Sequence, residues 1–158
     1  MKFFNYTKLS LFITILFTGF FITACGSDHD HGPTPVGLVL SLDGVEIAMQ
    51  EEGTITYVDN GTHIEVPNGG ALGPITVQFI QENGERYFPD ANEGFLLQYN
   101  VQNPNILGIQ HPVNNNQWTF NLQGLNAGSA TFNLELWHVD HSDFDSRNFQ
   151  VLVSAGDN

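Results

Sequence analysis

From residue 36 onward the chain alternates apolar and polar side chains in short runs. Val36 to Leu42 is an apolar run that stops at Asp43-Gly44, a dipeptide suited to a two-residue hairpin turn, and Val45 to Met49 continues beyond it. Thr54 to Val58 stops at Asp59-Asn60-Gly61, and Thr62 to Val66 follows. Ile75, Val77 and Phe79 alternate with Thr76 and Gln78, and Leu97, Tyr99 and Val101 with Gln98 and Asn100. Trp118, Phe120 and Leu122 alternate with Thr119, Asn121 and Gln123, and Ala130, Phe132, Leu134 and Leu136 with Thr131, Asn133 and Glu135. Phe149, Val151 and Val153 close the set. A period of two with one apolar face belongs to antiparallel strands that bury one side. No window of about eleven residues sustains a helical stripe. Many short strands separated by Gly, Asn, Asp and Pro predict an all-β antiparallel β-sandwich over residues 36–154, with residues 155–158 as a tail. Phe79, Tyr99, Trp118, Phe120, Phe132 and Leu134 are its expected core.

The first 25 residues follow a different pattern. Lys2 and Lys8 make a short basic start, and Leu9 to Phe21 is an apolar segment of signal-peptide length. Ile22-Thr23-Ala24-Cys25 then resembles the lipobox of bacterial lipoproteins. The resemblance implies a lipoprotein signal peptide over residues 1–24, acylation of Cys25, and a mature chain held on a lipid membrane at the cell envelope, on the outer membrane or the cell surface. An ordinary signal peptide or an uncleaved anchor helix are the other readings, although the apolar stretch is short and Thr-interrupted for a membrane span. Cys25 is the single cysteine of the chain, so no internal disulfide competes for it. Residues 25–35 carry almost no apolar side chain after the cysteine and cannot offset their ordering entropy, which predicts a flexible tether. Pro33 and Pro35 bias its end towards extended conformations. Gly26 is not the aspartate of an inner-membrane retention signal, and the acidic residues after it faintly resemble surface-export signals of some Gram-negative lipoproteins.

Cleavage at Cys25 changes the charge. It removes both lysines and leaves Arg86 and Arg147 against all seventeen acidic residues, a net charge of about −15 with histidines neutral. Such a surface repels nucleic acid and anionic headgroups, both of which need Lys and Arg. It suits cations, cationic partners or solubility alone.

One stretch carries a fold-family resemblance. Asn103-Pro104-Asn105-Ile106-Leu107-Gly108-Ile109, then Trp118 to Leu122, then Gly124 to Phe132 with its Ala127-Gly128-Ser129-Ala130-Thr131 turn, is similar to bacterial immunoglobulin-like (BIG-type) domains. Val77-Gln78-Phe79 with Asn83-Gly84-Glu85 fits the first core hairpin of that family loosely. The resemblance covers about half of the mature chain. It implies an immunoglobulin-like sandwich of about 7–8 strands serving adhesion, spacing or display, and it implies no activity.

No catalytic motif is present: no Gly-x-Ser-x-Gly elbow, phosphate loop or dinucleotide fingerprint, and no cysteine nucleophile once Cys25 is acylated. The protein is expected not to be an enzyme. Histidine placement is the remaining chemistry. Asp28-His29-Asp30-His31 lies in the tether, and His138-Val139-Asp140-His141-Ser142-Asp143-Phe144-Asp145 lies near the end of the domain. Imidazole and carboxylate are the ligands of Zn²⁺, and they also suit copper and nickel. In an antiparallel sandwich the ends of the strands before His111 and at His138, and the starts of those after Gln117 and Ser146, fall at one pole. The expected metal ligands are therefore His138, His141, His111, Asp143 and Asp140, with His29 and His31 as a weak site in the tether. The plainer alternatives are that His138 and His111 cap core rows, that His63 belongs to a solvated polar row, and that Trp137 is covered by a loop instead of serving an interface or a sugar. Two functions follow: an envelope lipoprotein that captures or buffers a divalent transition metal, zinc first, or a non-catalytic surface interaction or adhesion module. The expected partners are the membrane through acylated Cys25, a metal ion and another envelope protein, with no nucleic acid.

Overall fold

The computed structural model describes residues 34–155. The predicted signal peptide, Cys25, His29, His31 and the last three residues of the tail lie outside them. Among the described residues the chain forms β1 (Gly37–Leu42), β2 (Val45–Glu51), β3 (Thr54–Tyr57), β4 (Ile64–Pro67), β5 (Ala71–Ile80), β6 (Arg86–Tyr87), β7 (Phe95–Val101), β8 (Leu107–Gln110), β9 (Thr119–Gly124), β10 (Gly128–His138), β11 (His141–Asp145) and β12 (Phe149–Ser154). No helix among them is long and apolar enough to cross a membrane.

The strands form two layers. One sheet has the order β3-β2-β1-β5-β9-β8, with the short β6 also on β5. In the other, β10 carries β7 on one edge and both β12 and β11 on the opposite edge, with β4 beyond β12. The architecture is an all-β sandwich of two mainly antiparallel sheets, as the alternation predicted. β4 alone runs parallel to its neighbour, pairing Ile64 to Pro67 with Val151 to Ser154. Asp43-Gly44 makes the β1–β2 turn, both residues at positive φ (50° and 79°).

Inward rows from the two sheets meet in one core. Phe120 and Phe132 touch edge to face across it at 5.8 Å, Phe132 stacks on Phe149 at 5.4 Å, and Phe79 meets both Trp118 and Phe144 edge-on. Phe79, Phe120, Phe132, Phe149, Leu122 and Leu134 are essentially fully buried. Each such side chain contributes about 1.5–3 kcal/mol through burial.

Two expectations are corrected. The described residues form twelve strands, more than the seven or eight that the resemblance implies, and two of them, the two-residue β6 and the polar β11, have no apolar alternation to mark them. The β11 sequence His-Ser-Asp-Phe-Asp is too polar to read as strand, and it forms because a tight turn folds it back onto β10. Tyr99, expected in the core, is 41% exposed. It lies opposite buried Leu134 and so on the inward side, where its ring meets His111 edge-on at 6.0 Å, but β7 is an edge strand and the ring stays part-exposed while Phe95 and Leu97 on the same face are buried.

Candidate metal centre

The sequence between β10 and β11 decides the site. His138 and His141 are register partners, joined only by Val139 and Asp140. The Asp140 N–H donates to the His138 carbonyl at 2.7 Å, closing a three-residue turn with Val139 at φ +57°. The positive-φ form of this turn is rare and strained, and a β-branched residue there is an outlier. A register shift between Leu136 and Trp137 leaves Asp143 as the extra, unpaired residue of β11. Bulges re-aim side chains in this way. Here the bulge lets Phe144 turn into the core while Asp143 keeps the same side as His138 and His141.

The ligand atoms of His138, His141 and Asp143 lie within 4.8 Å of one another. His141 Nε2 is 2.9 Å from Asp143 Oδ1, and His138 Nδ1 is 3.6 Å from Asp143 Oδ2. His138 Nε2 is 3.2 Å from the Glu93 carbonyl oxygen. A carbonyl only accepts, so Nε2 donates to it and the ring is held with Nδ1 towards Asp143. The imidazole is also stacked on Phe95, with ring centroids 4.3 Å apart and planes 18° apart. The Glu93 carbonyl comes from the end of a single 3₁₀ turn, Ala91–Glu93, capped by the Asp90 side chain. His138 and Asp143 are mostly shielded from solvent, and His141 is half exposed.

Electrostatics favours cations here. The hydrogen bond to the Asp140 carboxylate holds the His141 imidazole above its ordinary pKa, with Asp143 adding to the effect, and the same bond holds Asp140 below the usual carboxylate range. Tyr87, on β6, is pushed up to about 12 by burial and then by the Asp143 carboxylate, so its phenol stays neutral beside the site.

The structure brings together His138, His141 and Asp143 of the predicted ligands. Asp140 stands on the outer side of His141, its carboxylate 3.0 Å from His141 Nδ1. His111 reaches the same pole but does not converge on the group. Its Nε2 lies 2.7 Å from the Gln117 carbonyl, the Gln117 side chain in turn donates to the Phe95 carbonyl, and Phe95 carries His138. Asp145 accepts a hydrogen bond from Ser142, and His63 sits beside the Thr62 hydroxyl. The Trp137 indole donates to Glu135 two residues back. Sequence reasoning could bring the 82–93 loop to this pole but did not single out Tyr87 or the Glu93 carbonyl within it, and it missed Phe95. The aromatic ring at Phe95 opens the apolar run before Tyr99, but a backbone carbonyl leaves no signature in a sequence.

No protein-family profile matches the chain, and no curated protein matches it. Among solved structures it is similar to domains 4 and 5 of the S-layer protein SbsC, at 11% identity and a TM-score of 0.41, over 67% of this chain and 63% of that one.

Proposed function

We propose that the protein is an envelope lipoprotein that binds a divalent transition metal ion, zinc first and copper or nickel as alternatives, through His138, His141 and Asp143. One observation carries the reading: ligand atoms of His138, His141 and Asp143 lie within 4.8 Å of one another, with the carboxylate between the two imidazoles and His138 oriented by the Glu93 carbonyl. Zinc takes nitrogen at about 2.0–2.1 Å and carboxylate oxygen at about 2.0–2.2 Å, which sets two ligands of a tetrahedral ion about 3.3–3.5 Å apart, so the 3.6 Å pair is already near that spacing and the 2.9 Å pair opens by about half an ångström. Three protein ligands leave a position open, which suits capture and release better than a purely structural site. The Glu93 carbonyl orients His138 as the outer partners of metal-bound histidines do. Acylation at Cys25 would hold the protein at the membrane, and His29 and His31 would collect ions weakly.

A second reading, a surface interaction module without metal, is favoured by the uncharged edge of β7. Thermal melts of the full chain carrying His29→Ala and His31→Ala separate the two. Zn²⁺ at a hundredfold excess over Kd stabilises a native-only site by about 2.7 kcal/mol. An upward shift that His138→Ala with His141→Ala abolishes is expected. A melting temperature that no metal moves would end the metal reading.

A further inference from the structure

The exposed Tyr99 has a second consequence. β7 bonds β10 through its even-numbered residues. Gln102 donates to the Thr131 carbonyl at 2.9 Å, and the register steps by two through Asn100 opposite Asn133, Gln98 opposite Glu135 and Leu96 opposite Trp137. Leu97, Tyr99 and Val101 therefore direct their backbone N–H and C=O groups away from β10, along the side of the sandwich. Phe95 does so too, but its carbonyl is taken by the Gln117 side chain at 2.7 Å.

Edges of this kind are normally short, charged, or broken by Pro or Gly. The other edges obey. β3 and β8 have four residues each, β8 with Gly108, while β4 carries Glu65 and ends in Pro67, and β11 carries Asp143 and Asp145. β7 reads Phe-Leu-Leu-Gln-Tyr-Asn-Val, seven residues with no charge, no Pro and no Gly. Its Leu96 is 50% exposed and its Tyr99 41%.

We infer that β7 is a homodimer edge, pairing antiparallel with β7 of a second copy about a two-fold axis at Tyr99. The available backbone groups fix the register. Their midpoint is Tyr99, so Tyr99 meets Tyr99 of the second copy and Leu97 meets its Val101, giving about six new backbone hydrogen bonds. On the inward side the two phenol rings and the Leu–Val pairs become cross-strand neighbours. On the outward side Gln98 faces Asn100 of the second copy, amide to amide. The two-fold symmetry of the free backbone groups about Tyr99 makes a second copy the occupant, and charge leaves that pairing open. In a chain of net charge −13, like copies repel over most of their surface, and this strand offers seven positions with nothing to repel. The nearest acid opposite β7 is Glu135 on β10. Two copies of it would stand about three strand spacings apart, roughly 14 Å, which exceeds the screening length of about 8 Å at physiological salt.

The test is sedimentation equilibrium of the full chain in density-matched detergent, across micromolar concentrations. A reversible monomer–dimer equilibrium is expected. Gln98→Lys with Asn100→Lys sets like charges against each other across the axis and should abolish the dimer. Gln98→Lys with Asn100→Glu sets opposite charges there and should restore it. Both pairs keep the same lysine opposite Glu135 and differ within the monomer's own sheet only at position 100, opposite the neutral Asn133, and circular dichroism checks that each variant is folded. A chain monomeric at every concentration overturns the proposal. So does a dimer that the Lys/Lys pair leaves intact, because association would then run through another surface or the leader.

Discussion

Val139→Gly should make the protein more stable, although it removes a side chain and adds backbone freedom. Val139 is held at φ +57° in the three-residue turn between His138 and His141. Holding a β-branched residue there costs on the order of 1–3 kcal/mol. Its side chain is 76% exposed, with one methyl beside Gly94, so little apolar burial offsets that strain. Glycine adopts positive φ freely but gives the unfolded chain more entropy, a loss of about 0.5–1 kcal/mol. The balance is a gain of about 1 kcal/mol, read as a rise in urea midpoint at unchanged slope. The same substitution should weaken zinc binding several-fold, because the strained turn holds the two imidazoles together before the ion arrives and glycine relaxes it. Opposite signs in the two measurements are the signature. A variant that is less stable than the parent by more than ~0.5 kcal/mol would refute the assignment of strain to this turn.

Three other outcomes follow from the same structure. Phe132→Ala removes a ring packed against both Phe120 and Phe149 and should cost about 3–5 kcal/mol in a denaturant series, whereas a loss below ~1 kcal/mol would contradict the packing. His141 has its pKa raised by Asp140, so its hydrogen bond stabilises the metal-free fold fully below pH ~6.5 and that contribution fades as pH rises through the raised value. Protons compete with metal for the same imidazole, so zinc affinity should fall on acidification starting above the ordinary histidine range. Asp140→Asn should move that midpoint to lower pH, and a titration in which it stays put would show that Asp140 does not set it. Cys25→Ser should release the protein from membranes or stall its processing, and equal membrane retention with no acyl label in either form would remove the anchor from the reading.

The alternating rows alone determined the fold class and most of the core. Phe79, Phe120, Phe132, Leu134 and Phe149 are inward because a strand turns every second side chain to one face, a local rule that needs no partner. Strand polarity also placed His111, His138 and His141 at one pole. Tertiary structure decided what happens within that pole. The bulge that gives β11 an extra residue, the turn at Val139 and the Glu93 carbonyl select His138, His141 and Asp143 and leave His111 on Gln117. Each depends on which strands become neighbours and in which register, and a one-residue change of register alters which side chains meet. Tyr99 marks the same boundary from the other side. Its alternation correctly assigned its face, but whether that face is covered depends on β7 lying at an edge, a property of the assembled sheet and not of the strand.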